Sequence, residues 1–118
     1  PGYFAAADVF AMPCRERRGG LEVEAFGIVF IQAQAVGTPV VAGRIGGVPD
    51  AVRDNETGLL VDGTDQSEVC AAVGSLLSDT SRRQEMGRAG AAWVEAGFGW
   101  EQRTAELQAM LRASTVTP

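Results

Sequence analysis

The sequence predicts an α/β fold, namely part of a Rossmann-like domain in which helices flank a parallel sheet. Three short apolar segments, bounded by glycine, proline or polar residues, have the length and composition of buried strands. Segments with helical periodicity alternate with them, and this order is typical of parallel strands joined by right-handed crossovers. Doubly wound sheets usually have about five or six strands. The chain is therefore expected to contain half of such a domain, with one sheet edge lacking its neighbours.

The first half of the chain contains the predicted strands. A short helix closes at residues 5–8, and the apolar run at 9–12 ends at Pro13, which favours a buried strand. A loop rich in charge and glycine follows at 14–26. A helix is predicted at 27–36, because Gly37 and Pro39 form a strong helix stop. The remaining predicted elements are a strand at 40–43, a glycine turn with one or two helical turns at 46–52, and a strand at 58–61.

The second half is predicted to form three helices. Asp65 caps the first, with Glu68 as its capping partner. Thr80 opens the second helix, and Gly97 ends it. The apolar face of each helix is predicted from its spacing, with Val69, Val73, Leu76 and Leu77 in the first, Met86, Ala89 and Trp93 in the second, and Trp100, Thr104, Leu107 and Leu111 in the third. The domain is expected to span 1–113, with a frayed tail at 114–118.

Composition excludes several classes of function. At 118 residues the chain is one compact domain, and its net charge of -5 argues against non-specific nucleic-acid binding. It has no histidine, so a triad with a histidine base is excluded, and Cys14 and Cys70 do not form a zinc cluster. No metal or cofactor is expected. A disulfide bridge between the two cysteines is the alternative, but the lack of a secretory segment favours two reduced thiols of a cytosolic protein, and both are interpreted as small core residues.

Two further features concern the chain's context. No apolar run approaches the roughly 18 residues that cross a bilayer, and no signal peptide opens the chain. Pro1 is not an initiator methionine, so the sequence is expected to be processed or cut from a longer one. Arg15, Arg17 and Arg18 form a local basic run, which fits either a solvated loop or contact with a phosphate-bearing ligand or anionic headgroups.

The candidate binding site lies where the predicted helix at 27–36 begins. Ligands of open parallel sheets bind beyond the carboxyl ends of the strands. No capping side chain precedes this helix, so the N–H groups of Phe26, Gly27 and Ile28 lack an evident partner and suit an anion such as a diphosphate. Glu24 lies three residues before Gly27, near the start of the same helix, where its carboxylate could accept hydrogen bonds from sugar hydroxyls. The alternatives are that water or Glu24 occupies these donors, and that Glu24 only compensates helix charge.

Gln32 lies on the same predicted helix in an otherwise apolar stretch. A buried amide there needs a partner, so the alternative to a ligand contact is a hydrogen bond with neighbouring backbone.

Several ordered motifs make the chain resemble retaining glycosyltransferases of the GT-B type, which have two Rossmann-like domains with the active site between them. The motifs are EAFGIVFIQA at 24–33, AVGTPVVAG at 35–43, GGVPD at 46–50 and NETGLLV at 55–61. Within the family, PCR at 13–15 and GGLEVE at 19–24 are most similar to actinobacterial GDP-mannose-dependent phosphatidylinositol mannosyltransferases. The resemblance covers nearly the whole chain and implies the C-terminal half of the second, donor-binding domain.

The resemblance implies a role for each site residue. Glu24, the candidate catalytic residue, matches the first of two family glutamates and would bind hydroxyls of the donor sugar. The amides near Phe26, Gly27 and Ile28 would hold its sugar and phosphates. The second glutamate, which binds the ribose, falls on Gln32, so donor binding is expected to be weakened. The family's phosphate-binding arginine and lysine would lie upstream of Pro1.

The implied reaction transfers a hexose from a nucleotide sugar, with GDP-mannose favoured, to a lipid or glycan hydroxyl. The acceptor would be bound through a missing N-terminal domain, so the fragment alone is expected to be inactive. A cytoplasmic location is expected, with peripheral contact at the inner face of the plasma membrane. Three alternatives stay open: a dinucleotide-dependent oxidoreductase, disfavoured because G-x-G-x-x-G is absent; a non-catalytic relic or binding module with a weakened donor site; and an inverting or phosphorylase-type GT-B enzyme.

Overall fold

The predicted order of strands and helices is confirmed. A computed structural model of the protein describes residues 2–114, so positions 115–118 of the predicted tail lie outside the described residues. The strands are β1 (Phe10–Met12), β2 (Val40–Gly43) and β3 (Gly58–Val61). The helices are α1 (Gly2–Ala5), α2 (Ile28–Ala35), α3 (Val48–Ala51), α4 (Gln66–Ser78), α5 (Thr80–Gly97) and α6 (Trp100–Ser114). A 3-10 turn at Arg18–Gly20 lies in the loop after β1.

The strands form a parallel sheet in the order β1-β2-β3, with Phe10 opposite Val40 and Val40 opposite Gly58. Alternate residues of β2 point to opposite faces of this sheet. Val40 and Ala42 join a core with residues of α2 and α3, whereas Val41 joins a second core with residues of α4 and α5. The sheet therefore lies between two helical layers, as in a Rossmann-like domain.

The two edges of the sheet differ. At the outer edge of β3, the N–H of Leu60 donates to Oδ1 of Asp54 at 2.9 Å, and the Arg44 guanidinium donates to the Leu60 carbonyl. These two side chains occupy groups that a further strand would otherwise bond. At the other edge, the N–H of Phe10 donates to the carbonyl of Pro39 on the β2 side. Because the backbone groups of successive strand residues point in opposite directions, those of Ala11 point away from β2. Within the described residues, no side chain bonds the outward-facing backbone groups of β1 as Asp54 and Arg44 bond those of β3.

That edge position corrects one prediction. We expected the run at 9–12 to be a buried strand, but Phe10 and Met12 are half-buried and Ala11 is exposed. Phe10 and Met12 pack against the core, but within residues 2–114 no strand pairs with the other side of β1, so burial there is incomplete.

The capping prediction for α4 is half right. Asp65 accepts hydrogen bonds from the N–H groups of Ser67 and Glu68, as an N-cap does. The Glu68 carboxylate does not return to Asp65 and instead accepts from the N–H of Asp62 at 2.9 Å. In the predicted apolar face, Leu76 is buried but Leu77 is 52% exposed, because α4 turns only Ala72 and Leu76 fully toward the sheet.

The third predicted helix forms, but its apolar face is uncovered. None of the residues of α6 is buried, and Trp100 is 87% exposed. Leu107 and Leu111 are also exposed. The spacing correctly predicted a helix, but within residues 2–114 nothing packs over that face.

Candidate functional site

The carboxyl ends of the three strands meet at one edge, and the loop after β1 lies across the ends of β2 and β3. Two glycines permit this close approach. A Cβ added at Gly43 would lie 1.8 Å from the carbonyl oxygen of Cys14, and one at Gly63 would lie 2.3 Å from the same atom. The loop that carries the predicted site is therefore fixed directly above the sheet.

Glu24 is held at this edge by its own backbone. The N–H of Gly47 donates to the Glu24 carbonyl at 3.2 Å, and a Cβ at Gly46 would lie 2.1 Å from that oxygen. Gly46 has a φ of +52°, which also favours glycine. The Glu24 side chain is half-buried, so it is not turned fully into bulk solvent.

The start of α2 presents free donors beside Glu24. Gly27 is the N-cap, with a left-handed φ of 83° and no side-chain cap. Its carbonyl accepts from the N–H of Phe30 at 2.9 Å. Among residues 2–114, the N–H groups of Phe26, Gly27 and Ile28 have no hydrogen-bond partner, and the Glu24 carboxylate does not bond them. Ile28 is exposed and Phe26 half-buried, whereas Gly27 is buried. The predicted absence of a cap is confirmed.

Aromatic contacts fix the position of Phe26, and the sequence analysis missed them. The Phe26 ring lies 5.9 Å from that of Phe98, which contacts Trp93 edge-on at 5.5 Å. Arg53 covers the Trp93 ring, with its guanidinium carbon 3.8 Å from the ring centroid. Because these partners are distant in sequence, no local pattern signals them.

Gln32 is exposed and lies one turn after Ile28, so both side chains are on the same face of α2. Ile28 is 67% exposed. Gln32 also lines a cavity of about 220 Å³ together with Phe4, Ala35 and Val36. The face that begins at the free amides thus continues past Gln32 to an apolar cavity.

The buried amide of α2 is Gln34, not Gln32. The Nε2 of Gln34 donates to the carbonyls of Phe30 and Ala51, each at 3.0 Å, while its Oε1 has no partner among the described residues. The alternative considered for Gln32, a hydrogen bond with neighbouring backbone, is therefore the role of Gln34.

A larger cavity, of about 460 Å³, opens at the carboxyl ends of β2 and β3 and was not predicted. Its wall includes Arg15, Ile45 and Asp62. The other arginines of the basic run point elsewhere: Arg18 pairs with Glu22 at 2.9 Å, and Arg17 lies 3.9 Å from the same side chain. All three arginines are exposed, as the interpretation of a solvated loop expects, and Arg15 also lines the cavity.

The two cysteines are free thiols in different surroundings. Cys14 is half-buried and packs against the core, as predicted, whereas Cys70 is exposed on α4, so the prediction of a core residue is wrong there. Burial raises the pKa of the Cys14 thiol, and the negative charge of Glu24 raises this pKa further. The charge of Glu24 therefore influences the ionisation of the neighbouring Cys14 thiol.

This coupling predicts a pH effect. In a Cys70→Ser background, replacing Glu24 by glutamine removes a negative charge, so we expect the pKa of Cys14 to fall. The pH profile of Cys14 alkylation should then move to lower pH, while Glu22→Gln, whose carboxylate pairs with Arg18, should leave it in place. Alkylation rates measured against pH check this, and an unchanged profile in the Glu24 variant would place Glu24 away from Cys14.

Two other kinds of site are absent from residues 2–114. No described helix has both the length and the apolar character needed to span a membrane. No group of three or more acidic, cysteine or histidine side chains in this part of the chain could hold a metal ion.

Sequence comparisons point in one direction. Residues 1–93 match the family described as Glycosyl transferases group 1. The chain is 51% identical over 111 residues to the GDP-mannose-dependent alpha-(1-6)-phosphatidylinositol monomannoside mannosyltransferase of Mycolicibacterium smegmatis, which covers 94% of this chain and 29% of that protein. It is 45% identical over 106 residues to the D-inositol 3-phosphate glycosyltransferase of an Arthrobacter species, covering 90% of this chain and 23% of that protein.

Structural comparisons show the fold. Sucrose-phosphate synthase from Thermosynechococcus elongatus is 34% identical with a TM-score of 0.79, over 96% of this chain and 27% of that one. The Anabaena protein HepE, solved with UDP, has a TM-score of 0.85 at 22% identity, over 94% of this chain and 29% of that one. These neighbours are GT-B glycosyltransferases, which confirms the predicted fold class. The chain spans less than a third of each relative, and by its sequence it belongs to the glycosyl transferases group 1 family.

Proposed function

We propose that this chain is the donor-binding part of a longer, retaining glycosyltransferase that transfers mannose from GDP-mannose to a hydroxyl of a lipid or glycan acceptor. The family and the activity for which the Mycolicibacterium smegmatis relative is named support this donor. Phosphatidylinositol mannosides are the acceptor class that the same relative suggests.

One arrangement carries the proposal: the half-buried Glu24 stands beside the free N–H groups at the start of α2. A helix N-terminus stabilises negative charge by roughly 0.3–2 kcal/mol per group. The donors of Phe26, Gly27 and Ile28 thus suit the diphosphate, and the carboxylate suits hydroxyls of the hexose.

The nucleoside would lie along the exposed face of α2. This face passes from Ile28 to Gln32 and reaches the cavity lined by Phe4, Ala35 and Val36. In this arrangement Gln32 contacts the ribose, and the apolar cavity lies beyond it for the base.

The contribution of this chain to the reaction would be electrostatic and positional. The amides of Phe26, Gly27 and Ile28 stabilise the charge that develops on the departing diphosphate. Glu24 orients the sugar and is not a nucleophile. The leaving phosphate takes the proton of the acceptor hydroxyl, as the resemblance to retaining GT-B enzymes implies. No metal or other cofactor is required in this mechanism.

Other parts of the activity belong to the rest of the protein. The acceptor domain and the upstream arginine and lysine would complete the site, so we expect residues 1–118 alone to transfer no sugar. We place the full-length protein in the cytoplasm, in peripheral contact with the inner face of the plasma membrane, since the suggested acceptor is a membrane lipid.

Nucleotide binding tests the proposal. GDP, UDP and ADP are titrated against the full-length protein by calorimetry, with NAD as a fourth ligand. Binding of GDP in preference to the others is expected. Binding of NAD alone would support an oxidoreductase, and no binding at all would support a non-catalytic relic.

Replacing Gln32 by glutamate should tighten donor binding about fivefold to tenfold, because a hydrogen bond to a charged group contributes about 1 kcal/mol more than a neutral one. A carboxylate can accept from both ribose hydroxyls, whereas an amide has one acceptor oxygen. The dissociation constant of GDP, measured by calorimetry, checks this. Gln84→Glu, on α5, is the matched control with no expected effect. An unchanged or larger constant for the Gln32 variant would contradict the ribose contact.

A further inference from the structure

A row of four side chains leads from the end of α3 to the candidate site. The Phe26 ring lies 5.9 Å from that of Phe98, and Phe98 contacts Trp93 edge-on at 5.5 Å. The guanidinium carbon of Arg53 lies 3.8 Å from the Trp93 ring centroid. Phe26 belongs to the loop before α2, whereas the other three residues follow α3, lie in α5 and follow α5. We call this set the aromatic row.

The far end of the aromatic row is fixed by bonds within the fold. The N–H of Arg53 donates to Oγ1 of the buried Thr57 at 3.0 Å, and the Arg53 guanidinium pairs with Glu56 at 3.2 Å. Trp93 lies in α5, and its buried Nε1–H has no hydrogen-bond partner among the described residues. Contacts of its ring therefore hold the Trp93 side chain, since its polar group contributes no bond.

Phe98 is anchored to two helices. Its N–H donates to the carbonyl of Val94 at 2.9 Å, which closes the last turn of α5. From α6, the guanidinium carbon of Arg103 lies 5.8 Å from the Phe98 ring centroid, and the same guanidinium donates to the carbonyl of Gly97. The ring that meets Phe26 therefore has a fixed position.

The backbone around Phe26 has few other anchors. Gly27 has no side chain and a left-handed φ of 83°. Within residues 2–114, the N–H groups of Phe26 and Gly27 bond no protein atom. Ala25 lies against Gly47, where an added Cβ would be 1.9 Å from the Ala25 carbonyl oxygen. The Phe26 ring, which also packs against the core, is therefore the largest side-chain anchor of this segment.

The orientation of this segment matters for the proposed donor site. An N–H group stabilises an anion best when it already points at the anion, because no reorganisation is then needed as charge develops. Several adjacent N–H groups at the start of α2 would have to converge on one diphosphate. If the peptide at Phe26 were free to turn, it would present these donors in several orientations and bind the diphosphate more weakly.

We propose that Phe98 is a positioning residue for the donor: its ring holds Phe26 and thereby keeps the N–H groups at the start of α2 directed at the diphosphate. Trp93 supports Phe98 in this role. The inference rests on the proposed function and adds to it two residues that do not themselves contact the donor. Because Phe98 acts through Phe26, its loss weakens binding of the diphosphate and leaves binding of the acceptor unchanged.

The test is a double-mutant cycle of Phe26→Leu and Phe98→Leu in the full-length protein, with the dissociation constants of GDP and GDP-mannose measured by calorimetry. Leucine keeps apolar bulk and removes the ring. Each single variant should bind both ligands about twofold to tenfold more weakly, the range that corresponds to the strength of an aromatic pair. The double variant should bind no more weakly than the weaker single variant, because both substitutions break the same contact.

Trp93 supplies a matched pair of variants. Trp93→Phe keeps a ring against Phe98 and removes the unpartnered N–H, so it should bind GDP as the wild type does. Trp93→Leu removes the ring and should bind GDP about twofold to tenfold more weakly. Leu76→Val is the control for lost packing, because Leu76 lies in the other core. It should lower stability, measured by urea unfolding, without changing either dissociation constant.

Kinetics separate positioning from lost folding. A smaller folded fraction lowers the apparent kcat and the calorimetric stoichiometry but leaves KM for GDP-mannose unchanged. Lost positioning keeps the stoichiometry of the wild type and raises KM for GDP-mannose about twofold to tenfold, while KM for phosphatidylinositol monomannoside as acceptor stays the same. A lowered stoichiometry with an unchanged KM in Phe98→Leu would assign Phe98 to folding alone and overturn the inference.

Three further results would also overturn it. Wild-type affinity for GDP in an active Phe98→Leu enzyme would remove Phe98 from donor binding and leave the proposed function intact. Effects of the two leucine substitutions that multiply in the double variant would show that Phe98 does not act through Phe26. Absence of nucleotide binding by the wild type would overturn the proposed function and this inference together.

Discussion

Replacing Glu24 by glutamine in the full-length protein should lower kcat/KM for mannose transfer about fivefold to tenfold, because glutamine keeps only a neutral acceptor and a hydrogen bond to a charged group contributes about 1 kcal/mol more than a neutral one. The substitution keeps the shape of the side chain and removes its charge. Glu24 is proposed to contact the hexose and not the nucleotide. The variant should therefore bind GDP as the wild type does, but bind GDP-mannose more weakly.

Glu22→Gln is the control for this experiment. Glu22 lies two residues away and pairs with Arg18 in the exposed loop, so its loss should change kcat/KM less than about twofold. Initial rates and calorimetric titrations with GDP and GDP-mannose separate the two variants. Equal activity of the Glu24 variant and the wild type would remove Glu24 from the sugar site.

Replacing Gly46 by alanine should destabilise the domain by about 2–5 kcal/mol, from a left-handed backbone cost of roughly 1–2 kcal/mol and an overpacking cost of roughly 1–3 kcal/mol. Gly46 has a φ of +52°, and the new Cβ would lie 2.1 Å from the Glu24 carbonyl oxygen. That oxygen belongs to backbone, which cannot rotate away as a side chain can. We therefore expect transfer activity to fall as well, because Glu24 would be displaced.

Gly74→Ala provides the opposite case. Gly74 lies inside α4, and a Cβ there would meet no atom within 4 Å. Alanine should stabilise this helix by about 0.5–1 kcal/mol without affecting activity. Urea unfolding of the full-length protein, followed by its fluorescence, compares the two variants. A Gly46→Ala protein as stable and active as the wild type would show that the turn does not position Glu24.

Local signals predicted the parts of the fold that depend on local physics. The limits of α2 follow from the missing cap at Gly27 and from Gly37, whose φ is +79°. β2 and β3 were predicted with their observed bounds because each is a short apolar run between turns. Burial could not be predicted in the same way, because it depends on what lies beyond an element. β1 and α6 have apolar residues like those of buried elements, but in residues 2–114 one is an edge strand and the other is uncovered.

The candidate site divides along the same line. The unpartnered N–H groups at the start of α2, and the nearness of Glu24 to them, follow from residues close in sequence. Whether Gln32 or Gln34 is buried does not, because residues two apart on a helix face nearly opposite sides and the sheet decides which side is inward. The cavity beside Arg15 brings together three loops from different strands, so no motif could reveal it.

Amide hydrogen exchange in the full-length protein, with and without GDP-mannose, tests the central claim most directly. The N–H groups of Phe26, Gly27 and Ile28 have no partner among the described residues, and Ile28 is 67% exposed whereas Gly27 is buried, so the N–H of Ile28 above all should exchange fast in the free protein. If they hold the diphosphate, saturating GDP-mannose should slow their exchange, while the exposed start of α6 should be unaffected. Protection elsewhere in the protein, with unchanged exchange at residues 26–28, would contradict the account.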